Sequence, residues 1–166
     1  MSIFDNSLEP LKRMHRKARE RRLLATQNVK DSLARRLEGD QEAFDHSPVS
    51  FSPDPAQHSV GILLVHGFTG SPHSMRPLAQ HFMELGYAVE MPLLTGHGTH
   101  WKDLRDSTYE QWLASAEQGY RRLADQGLRV VVVGMSMGGT VATHLSARLP
   151  VAGTVLINPY MVDVNP

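Results

Sequence analysis

The sequence predicts an α/β fold over residues 59–166, a mostly parallel sheet with helices on both faces. Three observations carry this. Gly61-Ile62-Leu63-Leu64-Val65 and the β-branched Leu128-Arg129-Val130-Val131-Val132-Val133 are short, mostly apolar runs, the pattern of buried strands. Each passes directly into a glycine-containing turn and then into a stretch of helical composition. From Ser59 onward strand and helix alternate, which is the rhythm of a parallel sheet wrapped on both sides.

The elements follow in chain order. Residues 1–40 carry ten Lys/Arg against six Asp/Glu, with the basic cluster at Lys12 to Arg22. The segment is helix-prone, but Leu8, Leu11, Leu23, Leu24, Leu33 and Leu37 form no continuous stripe. It therefore reads as a solvated helical or disordered extension rather than a membrane-surface or RNA-binding element. Residues 41–58, with Pro48, Pro53 and Pro55, read as a linker holding a short early strand around Val49 to Phe51. Ser74 to Leu85 is expected to be helical, with Met75, Leu78, Ala79, Phe82 and Leu85 inward. Gly86 ends it, and Tyr87 to Met91 begins the next strand. Pro92 to Ser107 reads as a long loop containing Gly96-His97-Gly98. Thr108 then caps a helix to about Gln126, with Trp112, Leu113, Ala116, Tyr120 and Leu123 inward. Met137 to Leu149 is a further helix with an inner face of Val141, Leu145 and Leu149, and Gly153 to Asn158 is strand-like.

Gly134-Met135-Ser136-Met137-Gly138 sets a serine between the 128–133 strand and the helix from Met137. A serine on such a turn is a nucleophile elbow: the glycines let the turn tighten and backbone pass close, while Ser136 Oγ projects. A serine in an ordinary glycine-rich loop is the alternative, and the strand-to-helix setting favours the nucleophile. A second motif, His66-Gly67-Phe68-Thr69-Gly70, follows the 61–65 strand.

With Leu63 to Ala79 (LLVHGFTGSPHSMRPLA), Gly96 to Leu104 (GHGTHWKDL) and Gly134 to Thr140 (GMSMGGT), the chain resembles the α/β-hydrolase superfamily, in its bacterial carboxylesterase and monoacylglycerol-lipase-like branch. The resemblance spans roughly Ser59 to Asp163. It implies that the backbone amides of Phe68 and Met137 form an oxyanion hole, two fixed N–H dipoles aimed at the developing anion. His66, Gly67, Gly134 and Gly138 would be the supporting turn residues.

A serine hydroxyl is a weak nucleophile until a positioned base takes its proton, and that base needs an orienting acid. In the superfamily the order is Ser, then Asp or Glu, then His. After Ser136 the sequence offers only His144 and Asp163. His144 lies eight residues on, about 12 Å along a helix and out of reach. Asp163 follows the 153–158 strand, one strand earlier than the superfamily's usual acid, and no histidine follows it. The acid and base are expected in a C-terminal part that these residues do not contain, so the chain reads as the N-terminal portion of an esterase with a partial α/β-hydrolase fold. On the superfamily's strand order, the Tyr87 strand lies beside the Gly61 strand, then come the Leu128 and Gly153 strands. The last would be a hydrophobic, unprotected edge through which the chain is expected to associate.

Two other histidines remain open as bases, His66 in the oxyanion turn and His97 in the loop bordering the active site. His73 and His81 fall on a predicted helix away from the elbow. The nine histidines show no H-E-x-x-H or paired Cys/His spacing, so no metal or other cofactor is expected. Zero formal net charge gives no global signal for nucleic acid, and the absence of cysteine excludes disulfides and a thiol nucleophile. No signal-peptide layout or membrane-spanning apolar run is present, which makes the cytoplasm the default location.

The leading expectation is a serine carboxyl-ester hydrolase acting on a small ester. Serine rather than aspartate at the elbow argues against haloalkane dehalogenase and epoxide hydrolase chemistry; thioesterase, peptidase and carbon–carbon hydrolase activities stay open. The alternative is a catalytically incomplete fragment acting as a binding or assembly module.

Overall fold

In the computed structural model, Arg13, Arg16 and residues 44–54 and 57–161 are described. The chain divides into two units, Met1–Phe44 and Asp45–Pro166, and the architecture below belongs to the second. Apart from Arg13 and Arg16, the basic segment 1–40 and its leucine pattern lie outside the described residues, as does Asp163.

The run expected to be the first buried strand is β2 (Val60–Val65), at the centre of a five-stranded sheet. The others are β1 (Val49–Phe51), β3 (Ala88–Met91), β4 (Arg129–Met135) and β5 (Gly153–Ile157), in the order β1-β3-β2-β4-β5. All neighbours run parallel except β1, which pairs antiparallel with β3. The sheet explains why β2 is apolar throughout. Leu63 and Val65 belong to one core, Ile62 and Leu64 to the other, so both faces of the strand are buried.

The helices supply those two cores. The first face is covered by α3 (Tyr109–Ala124) and α4 (Met137–Arg148) through Leu113, Ala116, Leu123, Val141 and Leu145, the second by α1 (Arg76–Glu84) through Ala79. Thr108 caps α3 as its sequence predicts: its Oγ1 accepts from the Gln111 amide at 3.4 Å, and the Gln111 side chain accepts from the Thr108 amide at 3.0 Å. Trp112 is only half-buried but packs on the same core. The helix stops at Ala124 rather than near Gln126, because the chain turns back through Gly127 at φ 78°.

Two elements differ from the sequence reading. The helix expected over 74–85 is a 3-10 turn at Pro72–Met75 followed by α1. Pro77 stands in the first turn of α1, where a missing N–H removes no helical hydrogen bond. Leu85, expected to face inward, is 50% exposed. It falls beyond the last helical residue, just before the left-handed Gly86, and so leaves the inner face. The loop from Pro92 to Ser107 contains α2 (Trp101–Asp106). His100 acts as its N-cap, with Nδ1 accepting from the Lys102 amide and the Asp103 carboxylate accepting from the His100 amide, both at 3.2 Å. Histidine is not among the usual capping residues, so this start carries little sequence signal.

β3 carries one charge into the sheet. Glu90 is 1% exposed, accepts from Arg122 Nε at 2.8 Å and from the Ser50 hydroxyl, and so ties α3 and β1 to β3. At the opposite edge β5 has, among the described residues, only β4 as neighbour. Val155, Leu156 and Ile157 are 48%, 40% and 36% exposed, although α4 reaches the strand through Ser146, whose hydroxyl is hydrogen-bonded to that of Thr154. Among the described residues, then, this hydrophobic strand is paired along one edge only, as the strand order leads one to expect. Among the described residues no helix is long and apolar enough to cross a membrane.

Candidate active site

Ser136 lies between β4 and α4 with φ 53° and ψ −122°. A non-glycine residue held there costs about 1–3 kcal/mol and persists only where its surroundings over-determine it. Those surroundings are visible in the hydrogen bonds. The Ser136 amide donates to the Ile157 carbonyl at 2.9 Å, and the Ser136 carbonyl accepts from the Gly139 and Tyr160 amides at 2.9 and 3.1 Å. The turn is thus clamped by β5 and its following segment on one side and by α4 on the other. Ser136 is exposed, at the C-terminal edge of the sheet.

The flanking glycines make this turn sterically possible. A Cβ at Gly134 would stand 2.2 Å from the Gly138 carbonyl oxygen, and one at Gly138 would stand 2.2 Å from that of Val65. The start of α4 is therefore pressed against the end of β2, bringing the two motifs together. A Cβ at Gly67 would stand 3.2 Å from Ser136 Cβ and 3.7 Å from its Oγ, so the backbone after β2 is a direct neighbour of the hydroxyl. Met137 opens α4, so its N–H has no acceptor within the helix. The Phe68 N–H donates to no other described residue. Thr69, at φ 57°, places a second strained residue in the same turn.

The histidines are distributed otherwise. His66 is fully buried, its Nδ1–H donating to the Gly67 carbonyl at 3.0 Å and its Nε2 accepting from the Leu94 amide at 3.2 Å. Both ring nitrogens are committed, and burial pushes its pKa down from 6.5 to about 4. His97 is buried beside it, with Nδ1–H donating to the Thr95 carbonyl at 3.2 Å, and burial likewise lowers its pKa. His144 Nδ1 lies 3.1 Å from the Tyr109 hydroxyl. His81 is exposed and His73 half-buried on the α1 side of the sheet. Among the described residues no histidine is hydrogen-bonded to Ser136. A shallow, half-open depression of about 110 Å³ lined by Val49, Arg76, Ala79, Gln80 and Met83 includes no residue of the Ser136 turn or the 66–70 turn.

The buried neutral state of His66 has a consequence for stability. A histidine in the unfolded chain takes up a proton near pH 6.5, whereas His66 resists it until about pH 4. This contribution is complete above about pH 6.5 and is lost as pH falls toward 4, by roughly 3 kcal/mol in all. His97 acts in the same direction. Urea midpoints should fall steadily across this window; a flat profile between neutral pH and about pH 4.5 would contradict the assignment.

The chain matches the sequence profile of the alpha/beta hydrolase family over residues 62–166, and it belongs to that family. It is 50% identical to the thermostable monoacylglycerol lipase of Bacillus sp. (strain H-257) over 100 residues, which are 60% of this chain and 40% of that one. It is 33% identical to the carboxylesterase of Bacillus subtilis (strain 168) over 95 residues, 57% of this chain and 39% of that one. A structure solved in work on the metagenome-derived lipolytic enzymes LipS and LipT superposes with a TM-score of 0.66 at 35% identity, covering 73% of this chain and 49% of the other. The chain spans about 40% of the length of these two curated relatives. Lipases and esterases are among its relatives.

Proposed function

We propose that this chain carries the nucleophile and oxyanion hole of a serine carboxyl-ester hydrolase acting on short or medium acyl esters, monoacylglycerols among them. The observation that carries the reading is the strained Ser136 turn set against the Gly67 backbone. In the proposed cycle Ser136 Oγ attacks the ester carbonyl, and the amides of Phe68 and Met137 hold the oxygen as it becomes anionic. The tetrahedral intermediate collapses with loss of the alcohol, and water then releases the acyl group from Ser136. The proton taken from Ser136 and returned to the alcohol is assigned to an imidazole and its acid outside the described residues, since among the described residues no histidine, His97 included, is hydrogen-bonded to Ser136.

The test is hydrolysis of p-nitrophenyl acetate and butyrate by this chain joined to the C-terminal portion of its Bacillus H-257 relative, which is 50% identical over the matched region. Hydrolysis abolished by Ser136→Ala supports the reading. Hydrolysis that survives Ser136→Ala rejects it.

One observation favours a second reading, a chain that acts through assembly: the exposure of Val155, Leu156 and Ile157 on an edge strand. The 166-residue chain is then expected to self-associate and to bind a dye such as ANS. Sedimentation that shows a dye-silent monomer would count against association through this edge.

A further inference from the structure

His97 is a buried side chain beside the oxyanion turn to which the proposed reaction gives no task. It is 2% exposed, and its Nε2 is buried without a hydrogen-bond partner. With the proton on Nδ1, directed at the Thr95 carbonyl, Nε2 presents a lone pair that nothing uses. The ring contacts therefore have to account for its place. The imidazole meets His66 edge-on, with centroids 5.0 Å apart and planes at 67°. It meets Phe68 at 6.1 Å and 84°, and Trp112 at 5.4 Å and 73°. Phe68 and Trp112 also touch, at 5.9 Å. Edge-to-face contacts are the arrangement in which aromatic quadrupoles attract.

The turn needs such support. Between Gly67 and Gly70 it holds one backbone hydrogen bond of its own, at 3.1 Å, and Thr69 is strained. The Phe68 side chain is 55% exposed, so its position depends on the few rings it touches. At the His66 end the turn is tied to the neighbouring loop by the Leu94 amide. At the Phe68 end that tie is the His97 ring. His97 is itself anchored through Thr95, whose amide and hydroxyl meet Ser115 Oγ of α3 at 3.3 and 3.0 Å. A line of support runs from α3 through Thr95 and His97 to Phe68.

We propose that His97 is a positioning residue for the oxyanion turn, its ring holding Phe68, and with it the Phe68 N–H, in place beside Ser136. This rests on the ester-hydrolase reading for its consequence in catalysis, but its geometric content stands apart. The role belongs to the ring and its contacts, not to proton transfer.

The experiment compares His97→Ala with His97→Phe, which restores a flat ring without a titratable nitrogen. Phenylalanine-selective 15N labelling gives five amide signals in the whole chain, and Phe68 is assigned by Phe68→Leu. His97→Ala should shift or broaden the Phe68 signal, whereas His97→Phe should keep it single and sharp. Leu123→Ala, a buried-core truncation at the far end of α3, should lower the urea midpoint and leave Phe68 in place. The chain's residual p-nitrophenyl acetate hydrolysis should drop at least about tenfold in His97→Ala, and His97→Phe should retain about a third or more, since ångström-scale misplacement costs up to about 10²-fold. An unmoved Phe68 signal in His97→Ala, or an equal disturbance by Leu123→Ala, overturns the proposal. Equal loss of hydrolysis in both His97 variants overturns it in favour of proton transfer. Hydrolysis by the joined protein that survives Ser136→Ala rejects the hydrolase reading instead, and the Phe68 signal then decides the geometric claim alone.

Discussion

Joining this chain to the C-terminal portion of an esterase relative is expected to raise p-nitrophenyl acetate turnover by about 10⁶-fold over the 166-residue chain alone. The size follows from which parts of the reaction the described residues can perform. In the proposed reaction the Phe68 and Met137 amides stabilise the oxyanion, and an oxyanion hole together with substrate binding leaves roughly 10³–10⁴ over water in a serine protease stripped of its triad. They cannot make the hydroxyl nucleophilic. Both nitrogens of His66 are occupied, His144 is engaged by Tyr109, and His97 makes no hydrogen bond to Ser136. Ser136→Ala should therefore change little in the chain alone and remove nearly all activity once an acid and histidine are supplied. Turnover by the 166-residue chain close to that of the joined protein, and dependent on Ser136, would sink this argument. It would make His97, with its unpartnered Nε2, the base.

The parts of the fold that the sequence made legible are those where one physical cause dominates. β2 and β4 are buried on both faces, so Ile62–Val65 and Val130–Val133 read as unbroken apolar runs, and each motif sits at the end of its strand. Thr108 announces α3 because a capping threonine with glutamine three residues on is a local signal. Ser136 at the junction of β4 and α4 was readable from its flanking glycines: Gly134 is demanded by its contact with Gly138 inside the turn, and Gly138 by the passing end of β2. What was not legible depends on partners distant in sequence. α2 begins at a histidine whose capping role appears only with Asp103 turned back onto it. Leu85 fits the helical period but lies one residue past the helix end. The arrangement of His66, Phe68, His97 and Trp112 joins two loops and α3, and no spacing along the chain encodes it.

Gly138→Ala is expected to destabilise the domain by about 3 kcal/mol or more, a large effect for a single methyl group. The added Cβ would lie 2.2 Å from the Val65 carbonyl oxygen and 2.5 Å from that of His66. Both are backbone atoms, so no side chain can swing aside; α4 and the end of β2 would have to separate. That separation would also carry Ser136 away from the Gly67 turn, so the joined enzyme should lose ester hydrolysis along with stability. Gly127 supplies the internal comparison. Its φ is 78°, but nothing lies within 4 Å of an added Cβ. Gly127→Ala therefore bears only the left-handed backbone penalty, about 1–2 kcal/mol. Gly138, in the first turn of α4 and without a positive φ, bears only the steric one. If urea midpoints show Gly138→Ala to be no worse than Gly127→Ala, the close approach of α4 to β2 cannot be what fixes the serine turn, and the backbone strain at Ser136 would need another support.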